Sequence, residues 1–390
     1  MNMKQNYQGR FLCYEKELIR LRRHFHKNPE LGLEEYETSS FIRNYLEKLG
    51  YEMKFVEPTG IIAELPDLKH REKLVVVRAE MDALPIKEKT GLAYASVNPG
   101  CMHACGHDAI LASALILAKI ISDEKETIPV RVRFLFEPAE EIGEGTIRMI
   151  QAGAMENPVP DAFLMFHYAA DQTFGMAVHE GQASAMISGM QIEIEGKSSH
   201  WCQAEEGIDS IYGAALVCQA VHDLNKTYKR KGPCIVGMGM VHGGNYPNII
   251  ADHVELSGGI RAAYEEDFYG LKEQLEEKLV QIEGQTGTKI RMVFPKDPIL
   301  AFANDPRYTE IAAEAGRKIF GDRFILEGEE ELFLSGDNAY RYFQHTRGLF
   351  CVFLAAIPGE GHPLHHPCFG IDEKILPYSV EALYEILCRL

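Results

Sequence analysis

The sequence predicts an α/β protein, in which an α/β/α domain with a mixed, largely parallel sheet is interrupted by an inserted ferredoxin-like α+β domain. Three observations lead to this expectation. Strand and helix patterns alternate through the first 186 residues, strands with one polar face appear near residue 187, and the first pattern returns after Pro298. We therefore expect residues 1–186 and 297–390 to form one domain and residues 187–296 to form the other.

The first domain begins with helices and continues as an alternation. Leu18, Leu21 and Phe25 follow helical spacing. Further apolar patterns predict helices at 35–49, 110–121 and 145–152 and strands at 61–65, 74–78, 130–136 and 162–166. The run 162–166 is wholly apolar, which is typical of a parallel strand covered on both faces.

The inserted domain shows a different pattern. Met190, Ile192 and Ile194 alternate with polar residues, which predicts a strand with one face in water. The segments that follow are a helix at 208–224, strands at 234–241 and 254–262, a helix at 267–282 and a strand at 289–294. This β-α-β-β-α-β order is the ferredoxin-like unit. After the insertion, a strand at 349–355 and a helix at 377–390 are expected to complete the first domain.

Composition excludes several classes of protein. The 390-residue chain has a net charge of −17, which repels phosphate backbones and argues against nucleic-acid binding. Its nine cysteines form no paired framework, and their odd number suits a reducing compartment. Residues 1–10 do not resemble a secretory leader, and no run of about 18 apolar residues occurs. We expect a cytoplasmic protein that binds neither nucleic acid nor membrane.

Four groups of potential metal ligands follow predicted strands or open a following helix. They are His103-Ala104-Cys105-Gly106-His107-Asp108, Glu137-Pro138-Ala139-Glu140-Glu141, His167, and His362-Pro363-Leu364-His365-His366. Each group alone fits an ordinary role, such as a capping loop, a solvated acidic turn or a structural histidine. Because ligands bind at the carboxyl edge of such sheets, the four together predict a metal site. Thiolate and imidazole favour Zn²⁺, Mn²⁺, Co²⁺ or Ni²⁺ over Mg²⁺ or Ca²⁺.

Asp82 is expected at the same edge of the sheet, because it follows the predicted strand 74–78. Its ordinary interpretation is a turn residue shortly before Pro85. A carboxylate in this position is also suited to orient a metal-bound histidine, by accepting a hydrogen bond from the ring nitrogen that does not bind the metal.

Motifs spread in order over nearly the whole chain resemble one family. They are RRHFHKNPELGLEEYET, VVVRAEMDALPIKEKTGLAYAS, MHACGHD, FLFEPAEE and HPLHHPCFGIDE. Together they are similar to the amidohydrolases that include hippurate hydrolase, N-acyl-L-amino-acid amidohydrolase and the plant indole-3-acetyl-amino-acid hydrolases. That family belongs to the metallopeptidase clan of aminoacylases and glutamate carboxypeptidases. The resemblance implies the two-domain fold predicted above, with the inserted domain forming a homodimer or higher homo-oligomer.

The resemblance also implies the chemistry of the site. It places two divalent transition-metal ions on Cys105, His107, Glu141, His167 and His365. It makes Glu140 the general base that takes a proton from the attacking water. The implied reaction is metal-dependent hydrolysis of the amide bond of N-acyl amino acids, which releases a carboxylic acid and an amino acid.

Three residues of the inserted domain match family positions on the substrate side. His200 matches a histidine that stabilises the oxyanion, often in the site of the neighbouring subunit. Asn248 and Arg261 lie where relatives bind the substrate carboxylate, a task that suits a planar guanidinium.

The chain departs from the family pattern mainly around the substrate. Ser-Ser-His-Trp-Cys at 198–202 replaces the usual Gly-Gly-His-Ala-Ala, and Ala251 replaces a proline. Glu80 and Glu137 stand where aspartate and glutamine are usual. None of these changes removes an implied ligand or Glu140, so they concern specificity more than chemistry.

Three alternative functions stay open from the sequence. In a cysteine hydrolase, Cys105 would be the nucleophile and His107 its base. An aminopeptidase or dipeptidase of the same clan would require a free N-terminus on its substrate. A non-catalytic metal-binding protein would keep the scaffold without the reaction, although the presence of Glu140 argues against this.

Overall fold

The computed structural model describes residues 9–170, 172–328 and 332–390. The chain forms two units. The first unit runs to Gly181 and also contains Ala303–Glu327 and Arg341–Leu390. The second unit consists of Gln182–Phe302 and Gly328–Tyr340.

The second unit is larger than the 187–296 segment predicted from the sequence. The segment 328–340, expected with the first domain, belongs to the second unit. Hydrogen bonds explain the difference, because the N–H of Ala185 donates to the carbonyl of Ser335 at 2.7 Å. The guanidinium of Arg261 likewise donates to the carbonyl of Leu334 at 3.0 Å.

The secondary structure follows the predicted alternation closely. The helices are α1 (Glu15–Lys27), α2 (Tyr36–Lys48), α3 (His107–Asp123), α4 (Gly145–Gln151), α5 (Ser210–Thr227), α6 (Glu265–Thr286), α7 (Pro306–Phe320), α8 (Tyr340–Phe343) and α9 (Leu376–Leu387). The strands are β1 (Glu52–Val56), β2 (Gly60–Glu64), β3 (Leu74–Glu80), β4 (Arg131–Glu137), β5 (Ala162–Ala169), β6 (Gly175–His179), β7 (Met186–Glu195), β8 (Ser199–His200), β9 (Cys234–Gly243), β10 (Ile249–Ile250), β11 (His253–Ala262), β12 (Lys289–Val293), β13 (Phe324–Glu327) and β14 (Gly348–Leu354). No helix among the described residues is long and apolar enough to span a membrane.

The first unit contains an eight-stranded sheet in the order β1-β2-β4-β3-β5-β14-β6-β13. Its central strands β4, β3, β5 and β14 run parallel to one another, whereas β2 and β6 join them in antiparallel fashion. This mixed, largely parallel sheet confirms the predicted fold class. Because neighbouring parallel strands end at the same edge, the segments that follow them are brought together there.

Both faces of this sheet are covered. On one face α1, α3 and α9 pack together over a core that includes Leu164 and Phe166 of β5. Phe163 points to the opposite face, because strand residues alternate, and stacks on Tyr342 at a ring separation of 4.9 Å. The apolar run in β5 therefore reflects a strand buried on both sides, as predicted.

The second unit contains a four-stranded antiparallel sheet in the order β12-β7-β11-β9. Helices α5 and α6 pack on it, and Ile192 and Ile194 of β7 lie in the core between them. The strand order and the β-α-β-β-α-β sequence confirm a ferredoxin-like arrangement. Strand β9 is an edge strand, so one side of its backbone has no neighbour in this sheet.

Candidate metal centre

Five side chains of the first unit bring their potential metal-binding atoms close together. Those of Cys105, His107 and His167 lie within 4.8 Å of one another. Those of Cys105, Glu141 and His365 form a second set, whose atoms also lie within 4.8 Å of one another. The Sγ of Cys105 lies 3.5 Å from Nε2 of His167, and Nε2 of His365 lies 3.5 Å from Oε1 of Glu141. The structure thus assembles all five sequence-predicted ligands, with Cys105 common to both sets.

Cys105 and His107 converge because the chain turns sharply between them. Gly106 has a φ of +88°, in the left-handed region that L side chains rarely adopt. His107 is already the first residue of α3 rather than part of the preceding loop. A glycine between the two ligands is therefore required by the backbone, which explains the Cys-Gly-His order physically.

The ring of His107 is held by the main chain of Asp82. Its Nδ1 donates to the Asp82 carbonyl oxygen at 2.8 Å, whereas Oδ1 of the carboxylate lies 3.6 Å away. The sequence predicted the carboxylate as the orienting group, and the structure assigns this bond to the carbonyl instead. A proton on Nδ1 leaves Nε2 free to bind a metal ion.

The carboxylate of Asp82 has a different task. Its Oδ2 accepts a hydrogen bond from the N–H of Glu141 at 3.0 Å, which fixes the turn after β4. Burial raises the pKa of Asp82, but His107 and the N–H groups of the turn lower it more, so the net pKa is below the usual range. Asp82 therefore links two of the candidate ligands, His107 and Glu141.

The same turn is held at its start by Glu35, which sequence reasoning missed. The N–H of Ala139, at a left-handed φ of +52°, donates to Oε1 of Glu35 at 2.7 Å. Glu35 is fully buried and accepts the hydroxyl of Thr59 at 2.6 Å. Burial raises the pKa of its carboxyl group, and the charge of Asp82 adds to this effect. A signal was available in the sequence, because Glu35 lies within one of the family motifs.

A buried guanidinium lies behind Glu140. Arg78 has no solvent exposure, and its Nε lies 2.7 Å from Oε2 of Glu137 while Nη1 lies 2.8 Å from Oε1 of Glu80. Its Nη2 is 3.9 Å from Oε1 of Glu140. The hydroxyl of Tyr342 also donates to Glu137, at 2.8 Å. Both carboxylates that depart from the family pattern are thus paired with Arg78, a residue that sequence reasoning missed.

His167 lies inside β5, not after it as the sequence predicted. The strand continues to Ala169 because it pairs in parallel with β14 from Phe163 to Ala169. Nδ1 of His167 is 3.0 Å from the carbonyl of Tyr168, so Nε2 is the atom that approaches Cys105. The alternation of strand residues directs His167 away from the apolar core that holds Phe166.

Adjacent His365 and His366 point in different directions. His365 has a left-handed φ of +64°, and its N–H donates to the carbonyl of Ala104 at 2.8 Å. This places its ring beside Glu141, whereas the ring of His366 stacks on that of His362. The structure therefore brings His365, and not His366, into the candidate ligand sets.

The start of α3 is anchored by buried charges. Oδ2 of Asp108 accepts a hydrogen bond from Arg22 at 3.1 Å and lies 2.8 Å from Nδ1 of His26. Burial raises the pKa of Asp108, but the guanidinium and the imidazole lower it far more, so the carboxylate stays charged. His103 differs, because neither ring nitrogen has a hydrogen-bond partner in the described part of the chain, and burial lowers its pKa to about 4. His103 is therefore a neutral ring near pH 7.

The five candidate ligands fit a borderline transition-metal ion. One thiol, three imidazoles and one carboxylate match the donors that such ions prefer. Oε1 of Glu141 is buried and makes no hydrogen bond within the described ranges. Buried oxygens usually have a partner, so this atom is suited to bind a cation. Burial raises the pKa of the Cys105 thiol, and a neighbouring positive charge is what stabilises a buried thiolate.

The three candidate residues of the inserted segment lie in the second unit. His200 and Asn248 are neighbours, with Nε2 of the ring 3.4 Å from the amide nitrogen of Asn248. The pairing of β8 with β10 holds them together, and Nδ1 of His200 accepts the N–H of Cys202 at 3.1 Å. Arg261 lies on β11 and donates to the carbonyl of Leu334.

Comparison with known proteins identifies the family. Residues 76–389 match the model of peptidase family M20/M25/M40. The chain belongs to this family. The M20 chain is 31% identical to an N-acetyl-L-cysteine deacetylase of Bacillus subtilis, over 96% of its own length and 88% of the relative. It is 34% identical to an N-acetyldiaminopimelate deacetylase of Bacillus velezensis, over 95% and 97% of the two chains.

A solved structure agrees with this assignment. A Bacillus subtilis dinuclear metal binding peptidase from the M20 family matches with a TM-score of 0.82 and 28% identity, over 97% of this chain and 98% of that one. The resemblance drawn from the sequence motifs is therefore confirmed. This M20 family member is a hydrolase.

Proposed function

We propose that this M20 hydrolase cleaves the amide bond of N-acyl amino acids and releases a carboxylic acid and an amino acid. The observation that carries the proposal is the pair of ligand sets that share Cys105, with Glu140 beside them. Two relatives bear names of deacetylases for N-acetylated amino acids, which supports the same class of substrate.

The proposed cofactor is a pair of divalent transition-metal ions, chosen from Zn²⁺, Mn²⁺, Co²⁺ and Ni²⁺. Cys105, His107 and His167 would hold one ion, and Cys105, Glu141 and His365 the other. When bound, such ions acidify a water molecule and polarise the scissile carbonyl. The shared thiol and the dinuclear description of the M20 peptidase support two ions rather than one.

Glu140 is proposed as the general base. Its carboxylate lies within 4.8 Å of the potential ligand atoms of His107 and Glu141, so it is placed to take a proton from the attacking water. It would then deliver that proton to the leaving amine. Arg78, at 3.9 Å, limits the directions in which the carboxylate can turn. Asp82 positions His107 and Glu141 through the two hydrogen bonds described above.

His200, Asn248 and Arg261 are proposed to act on the substrate side, as the resemblance implies. His200 would donate a hydrogen bond to the oxyanion, a contribution typically worth about 3–4 kcal/mol. Asn248 and Arg261 would bind the substrate carboxylate. Support comes from the exposure of all three residues and from the pairing that holds His200 next to Asn248.

A hydrolysis panel tests this function. Metal-free enzyme would be reloaded separately with each of the four ions and assayed on N-acyl amino acids and on matched dipeptides with a free N-terminus. We expect hydrolysis of the acylated compounds, dependence on added metal, and loss of activity with a chelator. Mass spectrometry of the products identifies the released acid and amino acid.

The other outcomes of the panel distinguish the alternatives. Cleavage restricted to substrates with a free N-terminus would make the chain an aminopeptidase or dipeptidase. Activity that survives chelation but not alkylation of Cys105 would indicate a cysteine hydrolase. No hydrolysis by fully loaded enzyme over a broad panel would favour a non-catalytic metal-binding protein. Its location in the cytoplasm stays a prediction.

We also propose that the second unit forms a homodimer through the edge strand β9. Met240 and Val241 of this strand are 56% and 63% exposed, which is unusual for large apolar side chains on an unpaired edge. Replacing Val241 with lysine should shift the protein from dimer to monomer, because a charge would have to be buried in the interface. Analytical ultracentrifugation at several protein concentrations measures this shift.

The matched control is Val280→Lys on α6. Val280 is 67% exposed but lies on a helix rather than on the sheet edge. It should leave the dimer intact. If the wild-type protein sediments as a monomer at all concentrations, the proposed dimer does not form. If both variants show the same monomer–dimer distribution, β9 is not the dimer contact.

A further inference from the structure

A second group of potential ligands lies on the loop that carries His365. The metal-binding atoms of His362, His366 and Cys368 lie within 4.8 Å of one another. None of the three belongs to either ligand set of the candidate centre. The proposed hydrolysis makes no use of them.

The spacing and chemistry of this group suit a metal ion. His362 and His366 are separated by three residues, a spacing found in many zinc sites, and Cys368 follows two positions later. The two imidazole rings are stacked, with centroids 4.5 Å apart and planes 3° from parallel. Two imidazoles and one thiol are donors for a borderline divalent ion, and a water molecule commonly completes such a set.

The loop is held in shape by its main chain. The N–H of His366 donates to the carbonyl of Pro363 at 3.2 Å. The N–H of Lys89 donates to the carbonyl of Pro367 at 2.8 Å, and the Sγ of Cys368 lies 3.6 Å from the carbonyl of Lys89. These bonds fix the positions from which the three side chains extend, so little ordering of the backbone is needed to bind an ion.

All three side chains are also accessible. His362, His366 and Cys368 are each partly exposed, so an ion can reach them from solvent. Nδ1 of His366 accepts the N–H of Cys368 at 3.1 Å, so this ring can keep that hydrogen bond while Nε2 binds the ion. Ligation by the thiol would release its proton to the solvent.

We propose that His362, His366 and Cys368 form a further metal site for a borderline divalent ion such as Zn²⁺, separate from the candidate centre. The bound ion would tie the ends of the segment 362–368 together. His365 lies in the middle of this segment, so the ion would also restrict the backbone that presents His365 to Glu141.

Cobalt binding to the metal-free full-length protein tests the proposal. Equilibrium dialysis counts the Co²⁺ ions bound per chain, and absorption spectroscopy detects charge transfer from thiolate to cobalt. Cys368→Ser and His362→Gln should each weaken one binding event by about tenfold or more, since even outer partners of metal ligands cost about 10- to 100-fold in affinity. Cys368→Ser should also remove one thiolate component of the spectrum, and Cys105→Ser a different one.

Cys218→Ser is the matched control, because Cys218 is an exposed cysteine on α5 and should change neither count nor spectrum. Circular dichroism checks that each variant folds, and His362→Gln carries the test if Cys368→Ser does not fold. Equal Co²⁺ binding by the wild type and both variants would overturn the proposal. A loss confined to one variant would also overturn it, because the three side chains would not act as one site. The test compares the Co²⁺ count of each variant with that of the wild type. This difference does not depend on whether the candidate centre holds one ion or two.

Discussion

Replacing Glu140 with glutamine is expected to lower kcat by about 10²- to 10⁴-fold while the enzyme keeps its metal. Glutamine has nearly the same shape as glutamate but cannot accept and return the proton. Glu141, not Glu140, belongs to the proposed ligand set, so the ion count should match that of the wild type. Steady-state kinetics on an N-acyl amino acid and elemental analysis of the same preparation measure both quantities.

Glu144→Gln is the matched control for this variant. Glu144 lies three residues beyond Glu141, and its side chain is 50% exposed and lies 3.5 Å from the guanidinium of Arg148 on the surface. Its replacement should change neither kcat nor metal content. If Glu140→Gln turns over substrate at the wild-type rate, Glu140 is not the general base. If the variant loses both metal and activity, Glu140 is a metal ligand instead.

Replacing Arg78 with methionine is expected to lower the free energy of unfolding of the first unit by about 3–5 kcal/mol. Methionine fills a similar volume but leaves the carboxylates of Glu80 and Glu137 buried without their cation. Both carboxylates are at most 1% exposed in their side chains, so water cannot replace the guanidinium. Hydrogen exchange of β3 and β4 amides in urea is a suitable measurement, because these strands belong to the first unit.

Arg20→Met provides the comparison. Arg20 is 60% exposed and pairs with Glu17 at 3.7 Å on the surface of α1, so its loss should cost no more than about 1 kcal/mol. If Arg78→Met is no more damaging than Arg20→Met, the buried carboxylates do not depend on Arg78. In that case the restriction placed on Glu140 by this guanidinium would also be in doubt.

Most of the fold was predictable because periodicity is a local property. The alternation in β7 and the apolar run in β5 identified each strand and the burial of its faces. The strands β1, β6 and β13 were not predicted. Each has only four or five residues, and β1 is largely exposed and carries charged residues, so its apolar pattern is weak. The full length of β5 could not be predicted from the sequence, because its last residues are in the strand only through their pairing with β14.

The residue types of the candidate site were predictable, but the buried residues that hold its side chains and turns in place were not. Cys105 and His107 stand close together in a motif, and Gly106 between them signals the turn that joins them. Arg78 and Glu35 lie within the family motifs, but the sequence did not indicate their roles, because the groups that they contact include residues distant in sequence. A charged residue inside an apolar strand becomes interpretable only when the opposite charge beside it is known.

By itself, the sequence determined the α/β fold class, the family and the five side chains whose potential metal-binding atoms the structure brings together. These depend on periodicity and on short motifs, which each segment carries independently of the rest. The resemblance had already selected His365 over His366, and the structure places the ring of His365 beside Glu141. Only the tertiary structure decided that the carbonyl of Asp82 rather than its carboxylate orients His107, and that His167 lies inside β5. Such choices depend on distances of a few ångströms between segments far apart in the chain, which backbone dihedral angles and strand register set together.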